Sequence, residues 1–130
     1  MTKSEQMARV GSRNTAPELA LRRHLSRRGV RYRLHRENLP GKPDIFIGRL
    51  RLAVFVNGCF WHGHNCRRGK RPASNVDFWN AKIGANRARD KRAKRELVEL
   101  GIECLTLWTC RLHEFDREAR RVAELYRKVR

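Results

Sequence analysis

Acidic side chains are scarce in this sequence. Asp and Glu together number 13 against 31 Lys and Arg, a formal net charge of +18 with a sequence pI near 11.4. So large an excess on a small domain points to a polyanionic partner, nucleic acid first among them. Long apolar runs are missing too: nothing approaches the roughly 18 consecutive residues of a membrane span. Met1–Val10 is too polar for a secretory signal, so we expect a soluble, intracellular chain with no membrane partner. Without such a signal, disulfides are disfavoured for Cys59, Cys66, Cys104 and Cys110, and clustered Cys and His suggest metal instead. What is present is 130 residues with 40% hydrophobic composition, enough for one compact core and too little for two domains. A basic amphipathic membrane binder is the rival reading of the charge, and it predicts no catalytic constellation.

Residues 1–14 are polar with no countable period and are expected to form a mobile N-terminal arm, with a single domain over 15–130. Thr15-Ala-Pro-Glu18 is a capping-box pattern, in which Thr15 accepts an amide of the first turn and Glu18 reaches back to the cap. Leu19, Leu21 and Leu25 supply a partial apolar stripe and Gly29 a stop, so the spacing predicts a helix over 15–28. Arg31–His35 reads as a short strand or extended lead-in, and Leu39-Pro-Gly-Lys-Pro43 as a turn-rich path. Asp44–Ile47, a turn at Gly48 and Leu52–Val56 read as a hairpin whose second strand is covered on both faces. Gly58–Pro72 cannot be a regular element. Asp77–Leu100 reads as a basic helix with a candidate break at Gly84, Ile102–Trp108 as a strand, and Glu114–Val129 as an amphipathic helix burying Ala119, Val122, Leu125 and Tyr126. The order α, β, β, β, α, β, α predicts an α/β fold with a mixed central sheet flanked by helices.

The most informative stretch is Val54-Phe-Val-Asn-Gly-Cys-Phe-Trp-His-Gly-His-Asn-Cys66. Cys59, His64 and Cys66 lie within eight residues, and Cys110 beyond the last strand can complete a closed Cys₃His site of the structural-zinc type. The bland alternative is a set of reduced thiols that simply pack. Cys104, flanked by apolar residues, reads as core. His62 is not needed to fill the shell, and a free imidazole beside a strand end suits a general base. The exchange of roles between His62 and His64 stays open on spacing alone. Asp44, directly after Pro43, can hold Mg²⁺ at a sheet edge, although an isolated Asp after Pro is more often a turn residue.

Pro43-Asp44, Gly58-Cys-Phe-Trp-His62, His64-x-Cys66, Phe78-Trp79, Lys82-Ile-Gly84 through Asp90, and Trp108-x-Cys110 follow one another in a single order. Together they resemble the very-short-patch-repair (Vsr-type) DNA mismatch endonucleases, from about Met7 to Cys110, the Gly58–Cys66 cluster being the most specific part. The resemblance implies a restriction-endonuclease-like fold with a PD-(D/E)-x-K-like site. It also implies nicking of a DNA duplex 5′ to the T of a T:G mismatch left by 5-methylcytosine deamination. By position, Asp44 would bind catalytic Mg²⁺ together with the backbone carbonyl of Val56. His62 would activate water, Asp90 would hold its imidazole, and Glu18 would approach from the first helix. Structural Zn²⁺ would be held by Cys59, His64, Cys66 and Cys110. Phe60, Trp61 and Trp79 would probe the mismatch, Met7 would wedge from the opposite groove, and Lys70, Arg71 and Arg87 would meet phosphates, with Arg89, Lys91, Arg92 and Lys94 beside them. The aromatic residues also read as packing over the zinc and filling the core, and each basic residue as solvated surface.

A monomer is the default expectation, in a prokaryotic cytoplasm on nucleoid DNA, with mismatch-repair proteins as candidate partners. Arg130 closely follows the last helix, so any C-terminal extension of the family is expected to be missing. One departure stands out: the family usually carries His before Gly-Cys-Phe-Trp, and this chain has Asn57. Asn can hydrogen-bond a metal-bound water or phosphate but cannot transfer a proton at neutral pH. The rival functions are a nickase of matched DNA at a short sequence and a zinc-stabilised DNA-binding module without catalysis.

Overall fold

The computed structural model describes residues 14–129, so the expected arm over 1–13, Met7 included, lies outside the described residues. Seven regular elements follow the expected order: α1 (Ala16–Arg27), β1 (Arg33–Leu34), β2 (Ile45–Ile47), β3 (Leu52–Asn57), α2 (Val76–Glu99), β4 (Glu103–Trp108) and α3 (Phe115–Lys128). The sheet runs β1-β2-β3-β4. Its first two pairings are antiparallel, with Leu34 opposite Ile45 and Ile45 opposite Val54. β3 and β4 are parallel, from Leu52 opposite Glu103 to Asn57 opposite Trp108. This is an α/β fold on a mixed four-stranded sheet. Among the described residues no helix is long and apolar enough to cross a membrane.

Two helices end on glycine, each just before a strand. At the end of α1 the Val30 amide donates to the Leu25 carbonyl and the Gly29 amide to Ser26, with Gly29 at φ +77°. At the end of α2 the Ile102 amide donates to Leu97 and the Gly101 amide to Val98, with Gly101 at φ +76°. These are paired Schellman closures, which need a left-handed residue. Arg51 then secures the hairpin to the end of α2, donating from its guanidinium to the Leu100 carbonyl at 2.8 Å and the Gly101 carbonyl at 3.2 Å. That grip, with the Glu103 amide donating to the Arg51 carbonyl, aligns β3 with β4 at their starts.

One sheet face packs on α1 and α3 through Leu21, Leu25, Ile45, Ile47, Val54, Leu107, Phe115 and Val122. The opposite face packs on α2 through Ala53, Leu97 and Ile102, with Phe46, Phe55 and Cys104 against them. β3 is thus covered on both faces, as its unbroken apolar run requires. Burying each of the large side chains contributes about 1.5–3 kcal/mol. Cys104 joins the second cluster as core.

Four expectations need correction. The capping box does not form: Thr15 makes no side-chain cap, and Glu18 reaches past it to the Asn14 amide. The inward stripe of α1 is Glu18, Leu21 and Leu25, with Leu19 exposed. α2 runs unbroken through Gly84, where a side chain would meet nothing within 4 Å, so the exposed glycine costs only propensity. Leu125 is exposed on α3 because the sheet-facing stripe is filled by Phe115, Ala119, Val122, Ala123 and Tyr126.

The turn leading to β2 is held by Gly41, at φ +75°, where an added Cβ would lie 2.7 Å from Ala93 Cβ and 3.2 Å from the Phe55 ring. Gly41→Ala is therefore expected to cost roughly 1–3 kcal/mol through strain and overpacking, as read by urea unfolding. An unchanged midpoint would mean that the turn is free to move off α2.

Candidate active site and metal centre

Asp44 stands immediately before β2. Its carbonyl accepts the His35 amide at 3.1 Å, one step past the last β1–β2 pair. Its Oδ2 accepts the Val56 amide at 2.7 Å. Glu18 approaches from the inward stripe of α1 and is 1% exposed. Its Oε1 accepts from Arg22 at 2.7 Å and from His35 Nε2 at 2.6 Å, and its Oε2 accepts the Asn14 amide at 3.0 Å. Ligand atoms of Glu18, His35 and Asp44 all lie within 4.8 Å of one another. Of these groups the carboxylate oxygens are the kind that suits a hard divalent cation, while the His35 imidazole is already engaged by Glu18.

The electrostatics agree. The Asp44 carboxyl is pushed up from 3.8 to about 6. Burial is the largest cause and the Val56 amide works against it. The Glu18 charge adds to the rise, while His35 and His62 oppose it. A buried carboxylate beside a second one gains from a cation, which removes the reason for its raised pKa.

His62 lies in the irregular segment after β3, and its Nδ1 is 2.5 Å from Asp90 Oδ2. A carboxylate can only accept, so Nδ1 carries the proton and Nε2 is left with its lone pair. Asp90 belongs to α2, on the face that also carries Trp79, Ile83, Asn86, Ala93 and Leu97, spaced three and four apart. Asn57, the last residue of β3, is buried at 6% exposure.

The same segment gathers Cys59, His64 and Cys66, and Cys110 joins them from the turn after β4, with all four ligand atoms within 4.8 Å of one another. His64 Nδ1 is 3.5 Å from Cys110 Sγ, and its ring stacks on Trp108 at 4.1 Å. His62 meets Trp108 edge-on instead, at 6.4 Å. The structure thus groups His64 with the cysteines and turns His62 to Asp90. Desolvation works to raise the Cys66 thiol, but hydrogen bonds from His64, Cys59, the Gly69 amide and Cys110 bring it down to about 6. Desolvation and the neighbouring Cys59 and Cys66 push Cys110 up to about 11. Thiols this close cannot all ionise unaided, and the group could hold a zinc ion, which removes that penalty.

Phe60, Trp61 and Trp79 form an edge-to-face trio with centroids 5.1 to 5.8 Å apart. Phe60 and Trp79 are buried and Trp61 is half-buried. Lys70 is exposed beyond the trio, Arg71 pairs with Asn80 of α2, and exposed Arg87 lies on α2 against Gly63. Sequence reasoning missed three contributors. Arg22 and His35 both grip Glu18, and Asn86 donates to the Trp61 carbonyl at 2.9 Å. The available signal for Asn86 was its place on the inward stripe of α2.

The raised Asp44 pKa has a consequence for stability. An acid whose folded value lies above its unfolded value opposes folding once it is ionised, and that opposition vanishes below both values. The gap from 3.8 to about 6 corresponds to roughly 3 kcal/mol. With no divalent cation added, Asp44→Asn is expected to be the more stable protein above about pH 6, by up to that amount, with its advantage fading as the pH falls toward about 4. Urea unfolding across that range checks this, and an advantage that does not vary with pH would contradict it.

The family model described as DNA mismatch endonuclease Vsr matches residues 1–68. The Type II nicking enzyme V.XorIIP of Xanthomonas oryzae pv. oryzae is 50% identical over 108 residues, covering 83% of this chain and 79% of that one. The DNA mismatch endonuclease Vsr of Escherichia coli strain K12 is 40% identical over 111 residues, covering 85% and 71%. The Type II nicking enzyme V.NmeAIP of Neisseria meningitidis is 37% identical over 124 residues, covering 95% and 89%. A match across more than half of the chain, joined to these identities, shows that the chain belongs to the Vsr family of DNA endonucleases.

Proposed function

We propose that this endonuclease nicks one strand of a duplex 5′ to the T of a T:G mismatch, using water activated at a Mg²⁺ site. The observation that carries the reading is the pairing, at one end of the sheet, of buried Glu18 and half-buried Asp44 with the Asp90-oriented His62. The names borne by the Escherichia coli and Xanthomonas relatives, a mismatch endonuclease and a nicking enzyme, support it. The mixed sheet supports a restriction-endonuclease-like fold in which Val54-Phe-Val-Asn57 stands where an E-x-K sequence would serve.

Asp44 would hold the Mg²⁺ with the Val56 carbonyl. Bound there, the cation supplies polarisation of the scissile phosphate and offsets charge developing on it. His62 takes a proton from water at Nε2, because Asp90 fixes the other nitrogen as the donor. Asn57 leaves His62 as the sole base of the segment, since an amide transfers no proton at neutral pH. Cys59, His64, Cys66 and Cys110 would hold structural Zn²⁺, pinning a segment without regular structure to the end of β4. Phe60, Trp61 and Trp79 would wedge into the wobble pair, with Met7 from the opposite groove, and Lys70, Arg71 and Arg87 would meet phosphates. Trp79 Nε1 is buried without a hydrogen-bond partner, which makes its present position the less costly to leave. One active site suffices to cut one strand, and the reading takes the working form as a monomer with a single domain over 15–130 and an N-terminal arm.

End-labelled duplexes differing only in T:G against C:G, with Mg²⁺ or with EDTA, test the reading. A Mg²⁺-dependent nick beside the mismatched T and none in the matched duplex is expected. Equal cutting of both would favour a nickase of matched DNA, and binding without a cut a non-catalytic module. Asp44→Ala is expected to abolish nicking with duplex affinity nearly intact, and His62→Gln to slow nicking about 10²–10⁴-fold. Metal analysis is expected to return about one zinc per chain, and well under one would overturn the Cys₃His assignment.

A further inference from the structure

His35 touches both acidic residues of the site, the Glu18 carboxylate with its side chain and the Asp44 main chain with its amide. Its imidazole Nε2 is 2.6 Å from Glu18 Oε1, and its main-chain amide donates to the Asp44 carbonyl at 3.1 Å. It does this from a backbone at φ +45°, in the left-handed region that a histidine rarely adopts. Strain of that kind persists only where the surroundings hold it, and it clusters at functional sites. The neighbouring Arg22 guanidinium is 2.7 Å from the same Glu18 oxygen and 3.5 Å from His35 Nε2.

These contacts decide between two roles. A cation on Glu18 would face the Arg22 charge directly, and both Glu18 oxygens already accept protein donors. Glu18 is therefore a strut, and Asp44 is the carboxylate left to hold the cation. We infer that His35 is a positioning residue: it locks Glu18 through its side chain and Asp44 through its backbone, so that helix α1 and the start of β2 present the cation-binding carboxylate in one fixed place. The inference rests on Asp44 binding the divalent cation, as proposed above.

The test measures Mn²⁺ affinity by electron paramagnetic resonance and melting temperature, on the full chain and four variants. Support among metal ligands of this kind is worth about 10- to 100-fold in affinity. His35→Ala is expected to weaken Mn²⁺ binding about tenfold. His35→Gln, whose amide N–H can still donate to Glu18, is expected to restore it to within about threefold of the parent. His35→Gly relieves the left-handed backbone, so it should melt above His35→Ala yet bind Mn²⁺ no better. Asp44→Asn is the control and should abolish this binding. If Asp44→Asn loses Mn²⁺ while His35→Ala keeps parental affinity, the positioning role is wrong. Affinities that simply follow melting temperature, with Gly well above Ala, would also overturn it in favour of a purely structural residue. If Asp44→Asn binds like the parent, the cation assignment falls first and takes this inference with it.

Discussion

The parallel pairing of β3 with β4 is the constraint on which the chemistry depends. With Asn57 opposite Trp108, the chain leaves both strands at the same end of the sheet. Gly58–Cys66 and Thr109–Cys110 therefore emerge side by side, and four side chains that could hold a metal meet from two distant segments. β2 runs antiparallel to β3, so its first residues lie at that end too, which sets Asp44 against the Val56 amide. Slipping this register by one residue would turn Val54 from one core to the other and move the cysteines apart. Arg51, clasping the end of α2, guards against that slip from the far end of the strands.

Scarcity of acid gives each carboxylate unusual weight. Four Asp serve the whole chain. Asp44 and Asp90 are in the site, while Asp116 accepts from Arg28 at 2.6 Å and ties α1 to α3. Arg28 is also the main reason the Asp116 carboxyl is held below its usual range. In a chain of net charge +18, exposed acids find cations everywhere, and such pairs contribute little. Glu18 is different because it is buried, with its charge balanced by Arg22 and a further hydrogen bond from His35. Of the acids discussed, Glu18 is buried and Asp44 and Asp90 are half-buried, whereas Asp116 is exposed.

Much of this was legible in the residues. Element order, the hairpin, the covered central strand and the long helix follow from apolar periodicity and from Gly29 and Gly101, because those signals are local. Glu18 and Asp90 were legible in a second way, since each occupies a position on an inward helix stripe where an apolar side chain belongs. His35 was not legible. Its importance comes from a left-handed backbone and a contact with a residue 17 positions away, neither of which periodicity encodes. The failed capping box has the same origin, because Glu18 had stronger partners in tertiary structure than the cap could offer. For the aromatic residues, the types were informative but the burial of Phe60 and Trp79 depends on how α2 docks, which spacing leaves open.

That docking links recognition to chemistry. One face of α2 carries Trp79 in the aromatic trio, Asn86 bonded to the Trp61 carbonyl and Asp90 bonded to His62, before Ala93 and Leu97 enter the core. Trp79 and Asp90 are eleven residues apart on an unbroken helix, about 16 Å along its axis. The segment they hold has little regular structure of its own. It is held by these α2 contacts and by Gly63, whose missing side chain lets it approach Ile83 and Arg87. In the proposed reading, a nucleobase displacing the aromatic trio would push on the helix that orients His62, which would couple engagement of the duplex to alignment of that imidazole.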